Sequence, residues 1–339
     1  MRSRHPGARL AALAAVAVMT VAAAGCTDDE QGGGAAGTSF PEASGPSTTS
    51  DDLRFGAAVK GSDPAAVEAL EAQAGAPLGV VRTFARWDTP FPTAEHRAIL
   101  GSGHRMHLSV RPRYDDGTVV LWSEVAAARP GSPVYDRMVE WAEAVAPYTD
   151  QLYLTFNHEP ETRDSQANGT AEEFVAAFRR WNEVMAEHGA GDIPRVVVLT
   201  RGAFADGRID QWYPGDAAVD VIGVDAYNWF DCQGSARPWL TPAELLEPAA
   251  RFAAERDKPM AVPEVASTED PADPGRKAEW ITDLGDDVAS LSEQQPVTFV
   301  AWFDVHDAGW PNCNWSFSSS PASAEAMAAN VSRFAPAGS

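Results

Sequence analysis

Basic side chains are scarce in this chain of 339 residues: 26 Lys and Arg stand against 48 Asp and Glu, for a formal net charge of −22. Affinity for phosphate backbones comes from clustered Lys and Arg, so nucleic acid is excluded as a partner. The acidity is read as a solubility device. Cysteine is limited to Cys26, Cys232 and Cys313. Long apolar runs are missing beyond the first residues, so any membrane attachment is confined to the N-terminus. No internal repeat at a fixed period is present, which excludes solenoids and propellers built from short units.

Two motif absences narrow the chemistry. The first turn, Phe55-Gly56-Ala57-Ala58-Val59-Lys60-Gly61, lacks the G-x-G-x-x-G spacing that lets a backbone approach a pyrophosphate, so dinucleotide binding is set aside. His158-Glu159 lacks the second His that a zinc protease needs four residues on, because position 162 is Thr and position 160 is Pro. His104 and His107 read as structural. No metal and no organic cofactor is expected.

The N-terminus reads as an export signal. Arg2, Arg4 and Arg9 precede an apolar run from Leu10 to Ala24 that is too short and Ala-rich for a membrane span. It ends at Ala23-Ala24-Gly25-Cys26, which resembles a bacterial lipobox, a resemblance that implies lipidation of Cys26. Thr27 to Asp52 is Gly, Ser, Thr, Pro and acidic residues, which cannot bury enough surface to fold and so make a tether. The expected organisation is a lipoprotein signal peptide over 1–25, a lipidated cysteine and linker over 26–52, and one large domain over 53–339. The expected location is extracellular, anchored by lipid to the cell membrane. In that compartment Cys232 and Cys313 are expected to pair.

Within the domain, short Val/Leu/Ile/Phe-rich runs are nearly continuous, as strands covered on both faces should be. Eight are expected, near 54–59, 79–86, 105–111, 151–157, 195–201, 219–226, 258–263 and 297–303. Helical spacing separates them, with start signals at Asp63-Pro64, Thr93, Thr170 and Thr241-Pro242. The fifth crossover is the thinnest, with at most one short helix around Gly207 to Trp212. Strand, helix, strand repeated eight times predicts a (β/α)8 TIM barrel, with a doubly wound open sheet as the rival.

A barrel puts its chemistry where strands end at their carboxyl side. The polar residues that stand out lie there: Trp87 and Asp88, Arg111 and Arg113, Asn157-His158-Glu159, Tyr227, Glu264, Asp304 and His306. Strands four and seven face each other across a barrel mouth, so Glu159 and Glu264 can flank one sugar. Two facing carboxyl groups are what glycoside hydrolysis needs, one to protonate the leaving oxygen and one to face the anomeric carbon. Glu161, past a proline, is the competitor for the acid role. Trp87 and Trp302 are expected to line a cleft by stacking on sugar faces, while Trp310 and Trp315 could do so or cap the barrel. Arg111 and Asp304 could bind hydroxyls or pair with each other.

Leu154-Thr155-Phe156-Asn157-His158-Glu159 resembles the strand-four His-Glu motif of glycoside hydrolase family 26. Gln211 to Asp216 leading into Val219 to Tyr227, Lys258 to Glu264, and Ala301-Trp302-Phe303-Asp304 are similar to later stretches of that family. Val81 to Pro92 is similar to its second strand. The resemblance covers nearly all of 54–334 in order. It implies Glu159 as acid/base, Glu264 as nucleophile, Tyr227 as a hydrogen-bond partner of Glu264, and His158 as an orienting group. After Glu159 the chain reads Pro160-Glu161-Thr162, where the family continues Met-Asn-Gly, and the family's strand-three His appears here as Arg111 or its neighbours. These changes touch sugar choice rather than reaction type.

The function expected is a retaining endo-glycoside hydrolase acting on β-mannan, mixed-linkage β-glucan or β-xylan. The alternatives are a surface lipoprotein that holds glycan on the same barrel without cutting it, and the two-lobed solute-binding protein of a transporter.

Overall fold

The computed structural model describes residues 53–232, 237–306 and 313–335. The signal, Cys26, the linker and Trp310 lie outside them. Eight parallel strands form one sheet: β1 (Arg54–Val59), β2 (Val80–Arg86), β3 (Arg105–Arg111), β4 (Leu152–Phe156), β5 (Val196–Thr200), β6 (Val221–Asn228), β7 (Met260–Ser267) and β8 (Val297–Asp304). Their order is β4-β3-β2-β1-β8-β7-β6-β5, so each strand neighbours the next in sequence and β1 pairs with β8. The β4/β5 seam is closed by the parallel bridge Leu154↔Arg195 and by Leu154 N donating to Pro194 O at 3.0 Å. A (β/α)8 barrel results, which disposes of both the open sheet and the two-lobed binding protein.

The helices are α1 (Pro64–Ala74), α2 (Ala94–Gly101), α3 (Trp122–Ala126), α4 (Pro133–Val145), α5 (Ala171–Glu187), α6 (Arg201–Ala205), α7 (Ile209–Trp212), α8 (Pro242–Ala254), α9 (Arg276–Ser292) and α10 (Pro321–Arg333). All four expected start signals work as caps: the side chains of Asp63, Thr93, Thr170 and Thr241 each accept an amide hydrogen from the first turn. The thin fifth crossover holds α6 and α7 where the sequence predicts one helix. Short α3 is an addition to the expected set.

Period-two alternation divides the barrel into two apolar zones. Inward residues Val80, Tyr153, Val196, Val198, Val221, Ala261, Phe299 and Ala301 pack as one buried cluster inside the barrel. The larger cluster lies between strands and helices. The inward set continues toward the carboxyl ends as polar residues: Arg82, His107, Thr155, Asp225 and Glu264 are all buried. A water-poor polar interior of this kind requires pairing, and it is here that the candidate site begins.

Cys232 and Cys313 form a disulfide, with Cα atoms 4.8 Å apart, tying the loop after β6 to the loop after β8. Among the described residues no helix is long and apolar enough to cross a membrane.

Candidate active site

Glu264 owes its direction to a β-bulge. On β6 and β7 the register runs Gly223↔Ala261 and then Asp225↔Glu264, so three steps on β7 match two on β6. Against β8 the same shift appears, from Val262↔Val300 to Val265↔Trp302. Without the extra residue, alternation from inward Ala261 would turn Glu264 outward toward the helices. Pro263 sits in this irregularity, where proline is tolerated because the ladder is already broken. The strand continues to Ser267, so Glu264 lies within β7 rather than after it.

Both Glu264 oxygens receive a donor: Arg82 Nη2 at 3.2 Å on Oε1 and the Tyr227 hydroxyl at 2.6 Å on Oε2. Arg82 is fully buried, and its guanidinium lies 4.4 Å from the Phe84 ring centre. Burial, then the charges of Glu264 and Asp225, hold the Tyr227 hydroxyl well above the usual tyrosine range, so it stays a donor.

Glu159 sits at the β4/β5 seam, where its amide donates to Val198 O at 2.9 Å. Its φ of 47° and that of Asn157, 48°, fall in the left-handed region, which costs a non-glycine residue of order 1–3 kcal/mol and is found where a side chain must be aimed. Burial pushes its carboxyl up to about 8, helped by the charges of Glu264 and Glu161 and opposed by Arg82 and Arg111. At neutral pH this carboxyl keeps its proton while Glu264 is held by two donors.

His158 places Nδ1 at 2.9 Å from Ser109 Oγ and its ring 5.3 Å from Phe84. Burial, and then Arg82 and Arg111, hold its pKa well below the usual histidine range, so the imidazole is neutral. Glu161, the competitor for the acid role, has Oε1 bound by the amide and hydroxyl of Thr200, both at 2.7 Å. It braces β4 against β5. His107 Nε2 meets Thr155 Oγ1 at 2.8 Å inside the barrel, and His104 Nε2 meets Glu71 Oε1 at 2.7 Å, both structural contacts.

Three expected cleft residues point elsewhere. Trp87 and Trp302 are completely buried in the layer between strands and helices. Trp302 follows inward Ala301, so the pleat turns it out against Trp280 of α9, and its Nε1 donates to Trp315 O at 2.7 Å. Trp87 packs on Trp181 of α5 at 5.6 Å. Asp304 has the same outward parity and accepts the Phe317 amide at 3.0 Å, fastening the turn before α10 rather than pairing with Arg111. Trp315, left open between cleft and cap, is buried as a cap.

In their place stand Phe84, Phe303 and Asp225, which the sequence reading does not single out, together with the expected Tyr227 and its neighbouring tryptophans. Phe84, inward on β2, is 38% exposed beside His158. Tyr227, Trp229, Phe303 and Trp315 form a ring cluster with centroids 5.1 to 5.8 Å apart, of which Tyr227, Trp229 and Phe303 are partly exposed. Asp225 is fully buried with neither carboxyl oxygen hydrogen-bonded. Burial, followed by the charges of Glu264 and Glu159, lifts it well above the usual aspartate range. A signal for both is present in the sequence: Arg82 and Asp225 are charged residues in the middle of apolar strands. Among the described residues, no group of three His, Cys, Asp or Glu could hold a metal ion.

No family model matches the chain. Endoglucanase H of Acetivibrio thermocellus is 26% identical over 292 residues, covering 82% of this chain and 30% of that protein. The chain therefore spans less than a third of that relative's length. Among solved structures, an endo-β-1,4-mannanase double mutant of Cellulomonas fimi superposes with a TM-score of 0.57 at 15% identity, over 83% of this chain and 71% of that one. A family 26 β-mannanase from Bacteroides ovatus gives 0.55 at 17%, over 84% and 89%. The family 26 endo-β-1,4-mannanase catalytic domain of a Bacillus species gives 0.56 at 14%, over 84% and 85%. The chain is thus similar to glycoside hydrolase family 26 enzymes and shares their barrel.

Proposed function

We propose that this chain is a retaining endo-glycoside hydrolase that cleaves a β-linked polysaccharide, of the β-mannan, mixed-linkage β-glucan or β-xylan class. The observation that carries the reading is the contrast between two glutamates at one barrel mouth. Glu159 is pushed up to about 8 by burial, while Glu264 meets a guanidinium and a phenol. The carboxyl that keeps its proton supports the role of acid, and the glutamate gripped and aimed by two donors supports that of nucleophile.

In the first step Glu264 attacks the anomeric carbon. The bond to the leaving oxygen breaks as Glu159 gives that oxygen its proton, and a glycosyl ester forms on Glu264. In the second, the Glu159 carboxylate takes a proton from water, and the oxygen displaces Glu264, restoring both groups with the original anomeric configuration. Arg82 and Tyr227 steady Glu264 before attack and as it leaves. Phe84 and Trp229 offer aromatic faces for sugar rings.

Purified protein and Glu264→Ala, assayed for new reducing ends on the three polymers, test this. Release by the parent and none by the variant is expected; equal release by both removes Glu264 as the nucleophile. Retention of polymer by the parent with no new reducing ends would instead favour the non-catalytic glycan-binding reading. We further propose export and lipid anchoring through Cys26. Mass spectrometry of the membrane-fraction N-terminus should find a diacylglyceryl Cys26, and an unmodified residue there would reject the anchor.

A further inference from the structure

The carboxyl end of β3 carries a charge that the protein itself leaves uncompensated. Arg111 is half-buried, stands in register with Arg86 on β2, and follows inward His107 and Ser109 on the same face. Its two basic neighbours are engaged. Arg86 Nε pairs with Asp115 at 3.3 Å, and Arg113 Nη2 donates to Asp164 O at 3.2 Å. Arg111 makes no ion pair and no side-chain hydrogen bond among the described residues. Burial, and next the charge of Arg113, lowers its pKa, with Asp164 and Glu159 acting the other way.

A partly desolvated guanidinium without a partner is an expense that folding does not recover, so the compensating group comes from outside. Five fixed N–H donors suit a flat or tetrahedral anion better than a hydroxyl, which leaves the charge unbalanced. Position fixes what that anion belongs to. Two residues before Arg111 on the same face of β3, Ser109 Oγ meets Nδ1 of His158, the residue before Glu159, at 2.9 Å, so a group bound at Arg111 sits on the Glu159 side of the mouth. The net charge of −22 would repel a polyanion at long range. That repulsion is screened beyond roughly 8 Å in physiological salt, which leaves recognition to the local arginines.

Resting on the glycosidase reading above, we propose that the natural glycan is acidic: a sugar beside the cleavage point bears an anion, a uronate carboxylate or a sulfate ester, that Arg111 binds with Arg86 and Arg113 alongside.

Titration calorimetry on Glu264→Gln, which prevents turnover, tests this. Oligosaccharides of β-1,4-glucuronate, β-1,4-mannuronate and glucuronoxylan are each compared with their carboxyl-reduced counterparts, and cellulose sulfate fragments with cellulose fragments. At least one anionic form should bind tenfold or more tightly than its neutral parent. The carboxylate and sulfate arms tell the two sources apart. In Glu264→Gln/Arg111→Gln, checked for an unchanged melting temperature, that preference should collapse about tenfold, and Arg111→Lys should restore some of it. A wild-type preference for neutral glycans, equal binding of both forms, or a preference that survives Arg111→Gln overturns the proposal. Hydrolysis of a neutral polymer without acid preference defeats this inference and leaves the glycosidase standing; Arg111-dependent anion binding with no hydrolysis by the parent does the reverse.

Discussion

Glu159 depends more than any other residue on what surrounds it. Its carboxyl, lifted to about 8, serves as an acid only while protonated, so kcat/KM should fall on the alkaline side with an apparent pKa near 8. The limb should vanish in Glu159→Gln assayed with a dinitrophenyl glycoside, whose leaving group needs no proton; a limb that persists belongs to another group. The same lift has a thermodynamic sign. A carboxyl with a raised folded-state pKa binds its proton more tightly when folded, so its contribution is fully present below the ordinary value of 4.5 and is lost as pH climbs to about 8. Glu159→Gln should therefore melt above the parent, by a margin that widens between about pH 5 and about pH 8 and then levels off. A margin constant with pH would contradict the burial argument.

At the scale of elements, the strands and helices are legible in the sequence because apolar runs, caps and turn residues are local signals. Sequence alternation also settles direction, but only while the strand is regular. Trp302 and Asp304 mislead because a place at the strand end suggests the mouth, whereas parity after inward Ala301 sends both outward. Glu264 faces inward only through a bulge, and a bulge is a property of pairing between strands that no single segment displays; Pro263 is its one local trace. Arg82 and Phe84 are easily passed over although they alternate inward from Val80. Gly223 gives the bulge its room. A Cβ there would stand 2.9 Å from Val198 Cγ2 and 3.0 Å from Pro263 Cγ. Gly223→Ala should cost about 1–3 kcal/mol by overpacking and lower kcat more than it raises KM, because Pro263 carries Glu264 with it. Unchanged melting and kcat would show that the bulge does not set the nucleophile.

The whole molecule combines a (β/α)8 barrel with a mouth stapled across the loops after β6 and β8. The disulfide spans 81 residues and joins the loops that hold Trp229 and Trp315 against Tyr227. Chain entropy sets an upper contribution of about 4–5 kcal/mol for a loop of that size. Cys232→Ser/Cys313→Ser should lower the melting temperature and raise KM as the aromatic wall loosens; a melting temperature that does not move would make the bridge dispensable. The account as a whole rests on Glu264 forming a glycosyl ester. Intact and peptide mass spectrometry after incubation with dinitrophenyl 2-deoxy-2-fluoro-β-cellobioside and its mannobioside and xylobioside analogues measures this directly. One glycosyl unit on Glu264 is the outcome the account predicts; turnover that leaves the protein unlabelled and inverts the product, or a label on any other residue, would contradict it.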